Sequence, residues 1–171
     1  VVTRCPVSSD GVPTVIPSTA VTHHASASSL IGKRIAIIEN DEVIMDAYHQ
    51  MLSSRGAEII ALSESEEELQ SQLETIDHLD GILCDYRLKH MTGDILIQRL
   101  RENYNREIPA VIVTADTSPS HIQTFAALNA PILYKPVTFQ AIISAFENIF
   151  DTHSFNTDVA NALYNAKEFV Q

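Results

Sequence analysis

The feature that most constrains this chain is an alternation repeated five times. Short apolar runs at 35–38, 58–62, 81–85, 110–114 and 131–135 are each followed by a stretch of helical period. The runs are nearly continuous rather than alternating, which is the pattern of strands buried on both faces of a parallel sheet. Between them, apolar residues recur three and four apart: Val43, Ile44, Ala47, Met51 and Leu52; Leu69, Leu73 and Ile76; Ile95, Leu96 and Leu100; Ile122, Phe125 and Leu128. The strongest such stripe is the last, carrying Phe139, Ile142, Ile143, Phe146, Ile149 and Phe150. Strands alternating with helices predict an α/β fold, a doubly wound five-stranded parallel sheet covered by helices on both faces.

Local signals agree with this reading. Gly56 is expected to stop the first helix. Ser65 with Glu68 three residues on reads as a capping box for the second. Ser118-Pro119 reads as an N-cap and first-turn pair for the fourth, and Pro136 halts the fifth strand. The domain is expected over 32–150. Residues 1–31, rich in Ser, Thr, Val and Pro, read as a linker or N-terminal extension. Residues 151–171 read as a C-terminal extension, with Val159, Leu163, Ala166 and Val170 on one side of an expected helix. Val1 in place of an initiator Met suggests a piece of a longer protein.

Composition narrows the function classes. The net charge of −11 argues against nucleic-acid binding, which needs clustered Lys and Arg. No apolar run is long enough to span a bilayer, and no signal peptide pattern opens the chain. A cytoplasmic setting without direct membrane contact is expected. The only two cysteines, Cys5 and Cys84, are far apart, and the histidines lack ligand spacing, so neither a disulfide framework nor a zinc site is expected.

In a doubly wound sheet the ligand site lies beyond the carboxyl ends of the strands. The polar residues there are Glu39, Asn40 and Asp41 after strand one, Asp85 at the end of strand three, Thr114 at strand four and Lys135 at strand five. Oxygen ligands without Cys or His suit a hard cation, Mg²⁺ first. A divalent ion relieves carboxylate repulsion and can neutralise a transferring phosphoryl group. Asp85, at the centre, is placed to act as a nucleophile and form an acyl phosphate.

The segments IAIIEND, ILCDYRLKHMTGDIL, PAVIVTAD and LYKPV, in this order, resemble the receiver domain of response regulators and of hybrid sensor histidine kinases over roughly 33–150. The resemblance implies a flavodoxin-like strand order of 2-1-3-4-5. It also implies phosphoryl transfer from a phosphohistidine, on a histidine kinase domain or a histidine phosphotransfer protein, to Asp85. Glu39 and Asn40 match the acidic pair that holds Mg²⁺ with Asp85, and the backbone carbonyl of Arg87 matches a further ligand. Thr114 matches the hydroxyl that contacts the phosphoryl group, and Lys135 the lysine that pairs with it. Receivers often form homodimers through the fourth helix, fifth strand and fifth helix, which makes self-association a further expectation.

Three positions depart from the family pattern. Asn40 stands where Asp is usual, leaving an oxygen without its charge. Ile132 replaces the aromatic residue three before the lysine, with Tyr134 expected on the opposite face of the strand. Lys89 stands where Pro is common. A degenerate receiver serving as an unphosphorylated interaction module is the alternative function. A phosphohydrolase with an aspartyl nucleophile would carry a second Asp where this chain has Arg87.

Overall fold

The computed structural model describes residues 30–152, apart from the side chains at 119, 120, 122 and 123. The expected linker before residue 30, the expected helix over 158–170 and the side chain of Ile122 lie outside the described residues. Five strands, β1 (Arg34–Ile38), β2 (Glu58–Ala61), β3 (Gly81–Asp85), β4 (Ala110–Thr114) and β5 (Ile132–Tyr134), form one parallel sheet in the order β2-β1-β3-β4-β5. Helices α1 (Glu42–Ser53), α2 (Glu66–Leu73), α3 (Gly93–Tyr104) and α4 (Pro119–Ala127) follow the first four strands. A fifth, α5, runs over 139–152. The predicted doubly wound order is the one observed.

Both faces of the sheet are buried, as the continuous apolar runs require. Ala36, Ile38, Ile82, Cys84, Ala110 and Ile112 pack against Leu69, Leu96, Leu100 and Phe125 of α2, α3 and α4. Ile35, Ile37, Leu83, Val111 and Val113 pack on the other face against Leu52 of α1 and Ile142, Phe146 and Phe150 of α5. Leu30, at the end of the stretch read as linker, is fully buried in this second layer.

The helix boundaries have local causes. Asp41 caps α1, its Oδ1 accepting from the backbone N–H groups of Val43 (2.9 Å) and Ile44 (3.1 Å). Past the end of α1, Gly56 adopts φ 86°, a conformation that side chains with Cβ rarely take. The capping box expected at α2 does not form. Ser65 is the N-cap residue, but the carboxylate of Glu68 accepts from the Ser63 hydroxyl at 2.7 Å, and Ser65 donates its N–H to that same hydroxyl. The Ser65 N–H that would reach Glu68 in a capping box goes to the Ser63 hydroxyl, which itself donates to Glu68.

β5 also corrects an expectation. Side chains alternate along a strand, so residues two apart share a face. Ile132 packs into the layer beneath α3 and α4, Leu133 into the layer of α1 and α5, and Tyr134 returns to the side of Ile132, where it is exposed. Tyr134 is therefore on the same face as Ile132, not the opposite one.

Candidate functional site

The carboxyl ends of β1, β3, β4 and β5 meet at one edge of the sheet. β3 is central, paired with β1 on one side and β4 on the other, so its last residue, Asp85, sits in the middle of the cleft. The side chain of Asp85 is only 10% exposed and that of Glu39 2%. Lys135, immediately after β5, reaches across to both. Its Nζ lies 2.6 Å from Asp85 Oδ2 and 3.3 Å from Glu39 Oε2.

The remaining carboxylate oxygens are oriented by backbone donors. Asp85 Oδ1 accepts from the N–H of Arg87 at 3.0 Å, and Glu39 Oε1 from the N–H of Asp41 at 3.1 Å. Both acids are thus fixed by short-range backbone contacts as well as by the shared ammonium. Burial disfavours the charge on Lys135, but the hydrogen bond to Asp85 and the negative charges of Asp85 and Glu39 outweigh it, and its pKa is raised above 10.5. Tyr48 of α1 is buried close to the same three charges, and burial pushes its phenol above the usual value.

The loop from β3 to α3 folds tightly back. Arg87 pairs with Thr92, and Gly93 donates its N–H to the Tyr86 carbonyl at 2.9 Å. A Cβ on Gly93 would stand 2.7 Å from the Asp85 carbonyl oxygen and 3.0 Å from Cys84 Sγ. Glycine is required here by close approach rather than by its backbone angle. Cys84 is fully buried, donates to the Asp85 carbonyl at 3.1 Å, and has its thiol pKa pushed well up, chiefly by burial. It serves packing.

Of the residues expected at the site, Lys135 is brought into contact with both Asp85 and Glu39. Thr114 closes β4 at the same edge, fully buried, its Oγ1 accepting from the N–H of Asp116 at 3.0 Å. Asn40 is exposed at the rim. Asp41, the third polar residue after β1, is engaged as the cap of α1. The peptide bond between Lys135 and Pro136 is cis.

Sequence reasoning missed two side chains. Asp116 is nearly buried and bonded on both oxygens. Oδ1 accepts from the Ser118 N–H at 2.8 Å and Oδ2 from Arg87 Nη2 at 2.8 Å, and His121 Nδ1 lies 3.1 Å from Oδ2 without forming a hydrogen bond. These contacts, Ser118 first and Arg87 after it, hold the Asp116 carboxyl well below the usual carboxylate range. The signal available was an Asp two residues before a helix-capping Ser, the pattern of a side-chain turn. For Arg87 only the carbonyl was singled out, yet its guanidinium makes the longer-range contact.

The donor set can be tested for a metal. Two carboxylates and a neighbouring backbone carbonyl are hard oxygen ligands, and a small cation that keeps several waters needs no more from the protein. Among the described residues no group of three or more Asp, Glu, His or Cys gathers as a metal cage. The site fits Mg²⁺ held partly by water, not a dedicated all-protein cage.

Comparison with known proteins agrees with this fold. No curated protein matches the chain. Among solved structures, a CheY-like response regulator receiver domain protein from Methanospirillum hungatei JF-1 is 21% identical, with TM-score 0.64, over 73% of this chain and 98% of that one. Chemotaxis protein CheY4 of Vibrio cholerae is 20% identical, with TM-score 0.59, over 68% and 98%. The CheX-CheY-BeF3-Mg²⁺ complex from Borrelia burgdorferi contains a chain 16% identical, with TM-score 0.60, over 70% and 90%. At these identities the structures speak for the fold. The family described as response regulator receiver domain matches residues 35–147. With that span, five strands in the observed order and the acidic cleft at their carboxyl ends, the chain belongs to the response regulator receiver domain family of two-component signalling.

Proposed function

We propose that this receiver accepts a phosphoryl group on Asp85 from a phosphohistidine, on a histidine kinase domain or a histidine phosphotransfer protein, in a Mg²⁺-dependent reaction. The observation that carries this reading is Lys135 Nζ, shared between Asp85 Oδ2 and Glu39 Oε2. One ammonium between two buried carboxylates leaves one negative charge uncompensated, with a strand-end Asp at the centre of the site.

In the transfer, a carboxylate oxygen of Asp85 attacks phosphorus. The P–N bond to the donor imidazole breaks, its electron pair stays on that nitrogen, and a P–O bond to Asp85 forms. Lys135, freed from its direct contact with Asp85, balances charge on the phosphoryl oxygens. Thr114 Oγ1, which accepts from Asp116 N–H, keeps its own proton to donate to a phosphoryl oxygen. Bound Mg²⁺ would neutralise phosphoryl charge, held by Glu39, Asp85 and the Arg87 carbonyl, with Asn40 supplying at most a neutral oxygen. Hydrolysis by water resets the site.

The setting we infer is the receiver of a hybrid sensor histidine kinase in a cytoplasmic phosphorelay. Passing the phosphoryl group to another histidine needs no aromatic rotation at β5, and Ile132 suits that use. Homodimer formation belongs to the same proposal, without nucleic-acid or membrane contact by this domain. A second reading, a degenerate receiver that binds a partner unphosphorylated, draws on the exposed Asn40 in place of an acid.

The test is incubation with acetyl phosphate and Mg²⁺ followed by intact mass. One added phosphoryl group, absent without Mg²⁺ and in Asp85→Asn, is the expected result. No gain in the wild type would favour the degenerate reading.

A further inference from the structure

β5 is the outer strand of the sheet, paired with β4, and α5 packs beside it. Between them, at the amino ends of β4 and β5 and so away from Asp85, runs an open groove of about 510 Å³. Pro131 and Leu133 line it from the strand side. Ala141, Ala145, Asn148 and Thr152 line it from α5, at the four-three-four spacing of one helix face. This face is distinct from the one that α5 buries, which carries Ile142, Ile143, Phe146 and Phe150. Its small side chains let another helix come close. Thr152 is the last described residue, so the chain runs on from the groove itself.

Residues 153–171 lie outside the described residues, but their sequence repeats the spacing. Val159, Leu163, Ala166 and Val170 fall four, three and four apart. Read backwards from Thr152, the α5 face runs to Asn148, Ala145 and Ala141 with the same intervals. Two antiparallel helices would therefore bring the stripes together position by position, over about 16 Å at 1.5 Å per residue. The connection from Thr152 to Val159 falls in the range of roughly two to eight residues that joins antiparallel helices. We propose that segment 158–170 folds back as a helix antiparallel to α5 and closes this groove within the same chain, with Leu163 over Asn148 and Ala166 over Ala145. The two faces match in size, small residues on α5 meeting Val and Leu on the segment. Attachment at the rim favours this occupant over a second copy, because a short tether holds it at an effective concentration roughly in the millimolar range. Residues 1–29, punctuated by Pro6, Pro13 and Pro17, show no helical period with which to compete. A segment seated here covers part of the α5 and β5 surface expected to self-associate, so intramolecular docking and a dimer through that surface compete.

The test uses the full chain with Cys5→Ser, which leaves only the buried Cys84. Two facing pairs are introduced separately, Ala145→Cys/Ala166→Cys and Asn148→Cys/Leu163→Cys, so that failure of one to fold leaves the other. Ala145→Cys/Glu168→Cys, with its second thiol on the far side of the segment's stripe, is the control. Each protein is oxidised with copper phenanthroline at several protein concentrations, and the disulfides are mapped by peptide mass spectrometry without reduction. Circular dichroism of the reduced proteins checks folding. Both facing pairs should close an intrachain disulfide about tenfold faster than the control, at a rate independent of protein concentration. Adding Leu163→Glu to the Ala145→Cys/Ala166→Cys protein should slow closure to the control rate. Equal rates in facing and control pairs, disulfides between copies in place of the intrachain bond, or no effect of Leu163→Glu would each overturn the proposal. None of these outcomes touches the phosphoacceptor reading.

Discussion

Lys135 is the residue on which the site's electrostatics turn. It joins Asp85 and Glu39, whose charges would otherwise repel across a nearly buried cleft. Its pKa is raised in the fold, so this pairing contributes stability below the ordinary lysine value of 10.5 and loses it as pH rises through the folded value. Urea midpoints should therefore show no dependence on this group near neutrality and a fall in strongly alkaline buffer. Lys135→Met should flatten that alkaline fall, and an unchanged slope would contradict the assignment. The same variant should lower the rate of phosphoryl loading by about a hundredfold, the scale for removing one preorganised charge-stabilising group. Asn40 makes the complementary prediction. Asn40→Asp restores a charged oxygen donor at the rim, and Mg²⁺ titration by calorimetry should give an affinity higher by about tenfold, roughly 1.4 kcal/mol. Equal affinity in the two proteins would mean that position 40 does not face the metal.

At the scale of elements, the junction of β3 and α3 is the tightest constraint. Gly93 opens α3 directly against the Asp85 carbonyl, and an added methyl group would meet that oxygen at 2.7 Å. Gly93→Ala should destabilise the fold by about 1–3 kcal/mol, the usual cost of forcing an atom into a packed space, read as a lower urea midpoint. Wild-type stability in this variant would show that the loop yields easily. The strands were legible in the sequence because burial on both faces leaves no polar register to disguise them. β4, AVIVT, is buried throughout its length and was read to the residue. The capping of α2 was not legible, because Ser63 and Ser65 compete for one glutamate and only the folded loop decides between them. The face of Tyr134 could have been read correctly from the two-residue period of a strand and was not.

At the scale of the whole molecule, the doubly wound order does the assembling. Glu39, Asp85, Thr114 and Lys135 span almost a hundred positions of sequence, yet each ends or follows a strand, so parallel pairing delivers all four to one edge. That is why the candidate site is legible in the sequence. The bridge from Arg87 to Asp116 is not, because it joins loop side chains 29 residues apart whose directions follow no period. Sequence patterns report strand ends well and cross-loop contacts poorly. The central claim, that the cleft exists to phosphorylate Asp85, has a direct test. The protein is treated with acetyl phosphate and Mg²⁺ and reduced with borohydride, which converts an aspartyl phosphate to homoserine, and its peptides are read by mass spectrometry. The account predicts homoserine at position 85 alone, and none when Mg²⁺ is withheld. Label at Asp41 or Asp116, or none anywhere, would contradict it.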